Sequence, residues 1–311
     1  MIRTWLLVLT LICAVLPGAA SLAADENHVL VGKVWSPGEA RQLTWKELLT
    51  RAGEARFVLI GEKHDNPGHH QLQGLLVTAI ASAGRRPAIV WEMISLGQGK
   101  ALAAFLERDD ATAAGQGPAI GWQDTGWPDW RNYQPIAQAA LDAGLDQHPG
   151  NIDRDTVRAV SREGFDALGD PTAAALARNA EWDEAAEAAL NQDLIDSHCG
   201  HMPDQMLKPM GNVQRARDAT MAAALLEADT GDGAVLIAGN GHVRSDRGVP
   251  AYLVPERRVI AIGLLEVQSG VTDPGAYLEN DDQFDAVIFT DRVETPDRCE
   301  ELRKRFGPKK D

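Results

Sequence analysis

Six short, largely β-branched runs recur along this 311-residue chain with almost no polar alternation inside them. They are HVLVGKVW from residue 28, FVLIG at 57–61, AIVWE at 88–92, AVLIAG at 234–239, VIAIGLLEV at 259–267 and FDAVIFT at 284–290. A continuous apolar run marks a strand covered on both faces, because a strand with one wet face would alternate. Residues at helical spacing fill the gaps. HHQLQGLLVTAIASAG closes at Gly84 and WRNYQPIAQAALDAG at Gly144, where glycine suits a helix C-terminus. Two more helical patterns cover Thr172–His198 and residues 204–228, the latter with an expected break near Pro209 and Gly211. Strand followed by helix, repeated, predicts an α/β fold with a mainly parallel β-sheet flanked by helices. The middle third, about 95–230, reads as a helical insertion over the carboxyl edge of that sheet.

The ends of the chain read differently. Residues 1–24 run from Arg3 through an apolar core to small residues around Gly18–Ala23, the order of a secretory signal peptide. The core is too short to span a membrane comfortably. Cys13 lies inside it without the small residues that precede a lipidated cysteine, so a periplasmic or secreted protein is expected rather than a lipoprotein. The expected organisation is therefore a signal peptide at 1–24, one domain at 25–295 and a charged tail at 296–311. Removing Arg3 with the leader takes the formal charge from −15 to −16, which repels phosphate backbones and argues against nucleic-acid partners. Cys199 and Cys299 remain after cleavage, and an oxidising compartment permits their pairing without requiring it.

Ligands of open α/β sheets bind beyond the carboxyl ends of the strands. Two strands here end in the same G-x-x-H pattern, Gly61-Glu62-Lys63-His64 and Gly239-Asn240-Gly241-His242, and AIVWE ends on Glu92. Glycine lets backbone approach closely, and each histidine follows on the loop. Two histidines and a glutamate could hold a divalent metal such as Zn or Fe, with His64, His242 and Glu92 as ligands. The same groups could instead work as acid and base without metal. The structural alternatives are a buried Glu92 paired with Lys63 or Arg244, and a helix start at which Asp65 or Asn66 merely caps. His69 and His70 stand at that helix start, where one faces inward and the other solvent. His198-Cys199-Gly200-His201 has a metal-like look but reads better as the end of the 172–198 helix, with a glycine cap and cations near the C-terminus. Met202, Met206 and Met210 recur every four residues, the spacing of core packing. Trp122, Trp127, Trp130 and Tyr133 crowd one loop, as either a lid over a ligand or a small satellite core.

LIGEKHDNPGHHQLQ, VWEM, QRARDATMA and AGNGHVRSDRGVPAYL, in this order, resemble the ChaN-type haem-binding proteins, within the superfamily of ChaN, Tiki proteases and erythromycin esterases. The resemblance runs from about His28 to about Val267. It implies an EreA/ChaN-like α/β core and an exported haem- or iron-binding protein in haem uptake or handling. Haem would sit among His64, His242, Arg244, Asn240, His69 and His70, with Arg244 on a propionate and methionines or tryptophans over the ring. A homodimer and outer-membrane uptake machinery are the implied partners. The same superfamily implies an alternative, a metal-dependent hydrolase with Glu62 as general base.

Overall fold

The computed structural model describes residues 28–178, 182–253, 258–295, 299–300 and 303–304. The expected signal peptide, and all of the expected tail except residues 299–300 and 303–304, lie outside these. Eight strands form one sheet: β1 (Val34–Ser36), β2 (Arg41–Leu43), β3 (Phe57–Ile60), β4 (Ala88–Ser95), β5 (Gln147–Asn151), β6 (Ala234–Ile237), β7 (Val259–Glu266) and β8 (Ala286–Thr290). Their order is β2-β1-β8-β7-β3-β6-β4-β5. The six strands from β8 to β5 are parallel, and the β1–β2 hairpin joins β8 antiparallel.

The helices are α1 (Trp45–Glu54), α2 (Pro67–Ser82), α3 (Gly99–Leu106), α4 (Ala113–Ala119), α5 (Trp130–Asp142), α6 (Arg154–Glu163), α7 (Asp170–Arg178), α8 (Glu184–Ser197), α9 (Asp204–Ala228) and the single turn α10 (Asn240–Val243). Alternate residues of each central strand enter opposite cores. Val58 and Ile60 pack under α2 and α5, while Phe57 and Leu59 pack under α9. That two-sided cover is why the paired stretches Phe57–Ile60, 88–91 and Ala234–Ile237 carry no polar residue. Gly74 lets α2 lie against α5, since a Cβ there would stand 2.8 Å from the Pro135 carbonyl oxygen.

Several expectations change. HVLVGKVW is a strand only from Val34, because Val31 and Lys33 donate back to His28 and Leu30 in turns through Gly32 at φ +76°. The 172–198 pattern is two helices, and α9 runs through Pro209 and Gly211 without a break. Pro209 stands near the start of α9, where it forfeits only the bond to the Gln205 carbonyl. Between β4 and β6 the chain returns once to the sheet as β5, whose sequence QHPGN carries no strand signal. Met206 is exposed, so the methionine series is not core. Cys199 and Cys299 form a disulfide, with Cα atoms 5.5 Å apart. Among the described residues no helix is long and apolar enough to cross a membrane.

Candidate functional site

Register puts the site together. Ile60, Ile237 and Trp91 are aligned across β3, β6 and β4, so Gly61, Ala238 and Glu92 follow side by side at the rim where β3 and β6 end and β4 runs on. The two G-x-x-H segments interlock there. A Cβ on Gly61 would stand 2.1 Å from Asn240 Oδ1, and one on Gly239 would stand 2.9 Å from His64 Nε2. Each glycine thus makes room for a side chain of the other segment. The Asn240 amide is pinned by Leu264, whose backbone N–H donates to Oδ1 at 3.1 Å and whose carbonyl accepts from Nδ2 at 2.7 Å. Asn66 caps α2 by accepting from the Gly68 and His69 N–H groups, which fixes the turn that aims His64.

Carboxylates and imidazoles alternate along this rim. Glu62 Oε1 is 2.6 Å from His64 Nδ1. His64 Nε2 faces Glu92 Oε2 at 3.8 Å, too far for a hydrogen bond. Glu92 Oε1 lies 3.3 Å from His242 Nε2, and Glu92 Oε2 accepts from the Gly239 N–H at 2.7 Å. His242 Nδ1 is 2.5 Å from Asp218 Oδ1, on α9. His70 Nε2 stands 2.9 Å from Glu62 Oε2 but out of line for a hydrogen bond. The Tyr133 ring packs on His70 at 4.1 Å between centroids.

The buried charges set one another's protonation. Burial works to raise Glu62, but His64 and His70 hold it down at about 2. Burial likewise opposes ionisation of Glu92, and His242 and His64 overcome it, holding its carboxyl far below the usual range. Burial opposes a charged His242, yet Glu92 and Asp218 push it up to about 10. Burial outweighs His242 at Asp218, which is raised. His64 is also raised, Glu92 and Glu62 outweighing its burial. His242 is therefore an imidazolium between two acids, with Glu92 the more strongly ionised of them.

A cleft of about 670 Å³ opens over this row. Trp127 forms one wall, with its ring 4.7 Å from the His64 ring, and Leu264 and Leu265 form another. His64 is the imidazole that reaches it most freely, its side chain 32% exposed against 6% for His242.

The other sequence-predicted residues go elsewhere. Arg244 does not line the cleft. Its guanidinium is buried and forked onto Asp246 and Glu279, because Asp246 follows two residues later and takes it at once. His69 and His70 are both buried, contrary to the expectation that one faces solvent. His69 accepts from the Lys63 N–H and meets the Thr290 hydroxyl, and burial lowers it to about 4, so it is neutral and structural. Lys63 pairs with Glu266 rather than Glu92. The aromatic loop divides, with Trp122, Trp130 and Tyr133 in the core and Trp127 at the cleft. His198 caps α8 through the Leu194 carbonyl. Among the described residues no group of three or more His, Cys, Asp or Glu side chains is disposed to hold a metal. His64 and His242 face different oxygens of one carboxylate, and their other nitrogens are turned to Glu62 and Asp218. Sequence reasoning missed Asp218, Gln214, whose amide lies 3.0 Å from His242 Nε2, and Arg217, which lines the cleft. All three lie in QRARDATMA, whose density of polar groups in one turn of an otherwise alanine-rich helix was the available signal.

The comparisons with known proteins agree with this architecture. A ChaN of Campylobacter jejuni, described for cofacial haem binding, superposes with a TM-score of 0.66 at 17% identity, over 82% of this chain and 95% of that one. At that identity the likeness concerns the fold alone. The type III effector HopBA1 gives 0.49 at 14% identity over 86% and 100% of the two chains, and the erythromycin esterase EreC gives 0.40 at 13% over 88% and 87%. Likenesses of that order say nothing about chemistry. No curated protein matches. The profile of haem-binding uptake proteins matches residues 48–253, two strand-end motifs and α9 included. On that match, which covers most of its length, the chain belongs to the haem-binding uptake family, ChaN, of the Tiki superfamily.

Proposed function

We propose that the chain is an exported haem-binding protein that holds an iron porphyrin in the Trp127 cleft and serves haem uptake or handling. The observation that carries this reading is the state of His64. Its Nδ1 sits on Glu62 at 2.6 Å, while Nε2 faces the cleft with no hydrogen bond. A histidine that ligates iron commonly gives its other ring N–H to a carboxylate, which orients the ring and strengthens the donor. The chain's tyrosines do not compete. Tyr133 and Tyr252 are fully buried, and the Tyr277 hydroxyl is engaged with Gln268 and Val271. Bound haem would supply a flat apolar ring and an iron centre; Trp127, Leu264 and Leu265 are the residues that would hold the ring and His64 the one that would ligate the iron. Family membership and the haem described for the Campylobacter jejuni relative support the reading. Export rests on residues 1–24, and a homodimer and outer-membrane uptake partners belong to the same proposal as implications of the resemblance.

Hemin titration followed by absorption tests it. The wild type is expected to give a saturable Soret shift. His64→Ala is expected to weaken binding roughly 10- to 100-fold and move the band, by analogy with the loss of a carboxylate-oriented ligand. Tyr133→Phe is expected to bind as wild type. No saturable shift in the wild type, or an unaltered one in His64→Ala, removes the proposal.

A second reading is favoured by the alternation of acid and base. His64 Nε2 could take a proton from water while His242, held as an imidazolium, donates to a leaving group, giving hydrolysis of an ester-like bond without metal. Chelator-resistant turnover of aryl esters, abolished in His64→Ala and inhibited by hemin, is the outcome it requires.

A further inference from the structure

The cleft under Trp127 is half of a longer groove. A second hollow of about 890 Å³ lies beyond it, and the two share Glu92, Trp127 and Arg217. The far hollow is polar and mixed in charge, with Ser95, Gln98 and Asn151 beside Asp153, Arg154 and Arg158. Arg217 stands at the junction, on α9, one residue before the Asp218 that holds His242.

Arg217 differs from the arginines around it. Arg244 is forked onto Asp246 and Glu279, Arg247 pairs with Asp193, and Arg154 donates to the Asp124 and Thr125 carbonyls. Arg217 makes no hydrogen bond or ion pair among the described residues, and its Nε is fully enclosed without a partner. The chain has 45 acidic and 30 basic residues, so an arginine left unpaired in a groove is not short of potential partners. A buried guanidinium N–H with no acceptor is a standing cost that a bound acceptor removes.

We infer that Arg217 is the anchor for a carboxylate carried by a planar, unsaturated ligand that lies along Trp127 and reaches both hollows. The guanidinium fork matches a carboxylate in two parallel hydrogen bonds. Trp127 offers a flat face beside it. For haem, the carboxylate is a propionate; the anchor deepens that proposal and depends on it only for the identity of the ring.

The test compares 2-naphthoate with neutral 2-naphthylmethanol by calorimetry on the full chain, beside a hemin titration. The wild type is expected to bind the acid about tenfold tighter than the alcohol, the size of one charge-assisted hydrogen bond. Arg217→Met is expected to lose that preference while keeping its affinity for the alcohol, and Arg217→Lys to restore part of it. Equal binding of the two probes by the wild type, or an undiminished preference in Arg217→Met, overturns the anchor. Hemin that fails to bind while the naphthoate preference holds removes the haem reading and leaves the anchor. Hemin that binds without naphthoate discrimination does the reverse.

Discussion

Glu92→Ala is expected to lower the unfolding free energy by about 3–5 kcal/mol, the cost of removing one partner from a buried ion pair. Glu92 is 1% exposed and stands between two imidazoles. Its loss leaves His242 charged against Asp218 alone, strands the Gly239 N–H, and opens a void in β4 just past its last pairing with β6. Denaturant unfolding measures it, and a change below about 1 kcal/mol would show that the row carries no appreciable buried charge.

The same charges set the pH profile. His242 moves from its ordinary 6.5 to about 10 on folding. A raised base stabilises fully below its unfolded value, so this contribution is complete below 6.5 and drains away as pH rises to about 10. Glu62 moves from 4.5 to about 2, so its contribution is complete above 4.5 and is lost as pH falls toward 2. Asp218, raised, subtracts stability increasingly from its ordinary 3.8 up to its raised value and by a constant amount above that. Thermal unfolding is therefore expected to plateau between about 4.5 and 6.5 and to decline toward pH 10. The decline should shrink in Glu92→Ala. A melting temperature flat from pH 6.5 to 10 would rule out the buried imidazolium.

Gly61→Ala is expected to cost about 3 kcal/mol, from overpacking together with lost hydrogen bonds. The added methyl meets Asn240 Oδ1 at 2.1 Å and Val243 Cγ2 at 2.9 Å. Asn240 cannot yield without breaking both bonds to Leu264. If the backbone yields instead, α10 moves and carries His242 with it. Combining Gly61→Ala with Asn240→Ala should cost less than the sum of the two, because the second change removes the obstacle to the first. Strict additivity in denaturant unfolding would show that the segments do not interlock. Gly239→Ala, whose methyl meets His64 rather than a pinned amide, should spare the fold more and hemin binding less.

The central strands were legible because burial on both faces leaves its mark residue by residue, and FVLI, AIVW and AVLI all bear it. The short edge strand β5 was not. Its pairing from Ile89–Gln147 to Ser95–Asn151 is imposed by β4, not by its own residues. The rim residues were legible in kind, since a glycine and a histidine after each strand mark where chemistry can stand. Arg244, expected on a propionate, follows His242 in sequence, but Asp246 captures it locally, while Arg217 reaches the cleft wall from α9.

The amino-acid order alone thus settled the α/β class, the strands that fill its centre and the two histidine-bearing rims, because these depend on hydrophobic period and glycine at short range. Tertiary structure alone decided that the rims lock into each other, that Asp218 holds His242, and that Arg217 stands open to the groove. Those pairings depend on strand order and on the face α9 turns inward, and neither is written within reach of the residues themselves.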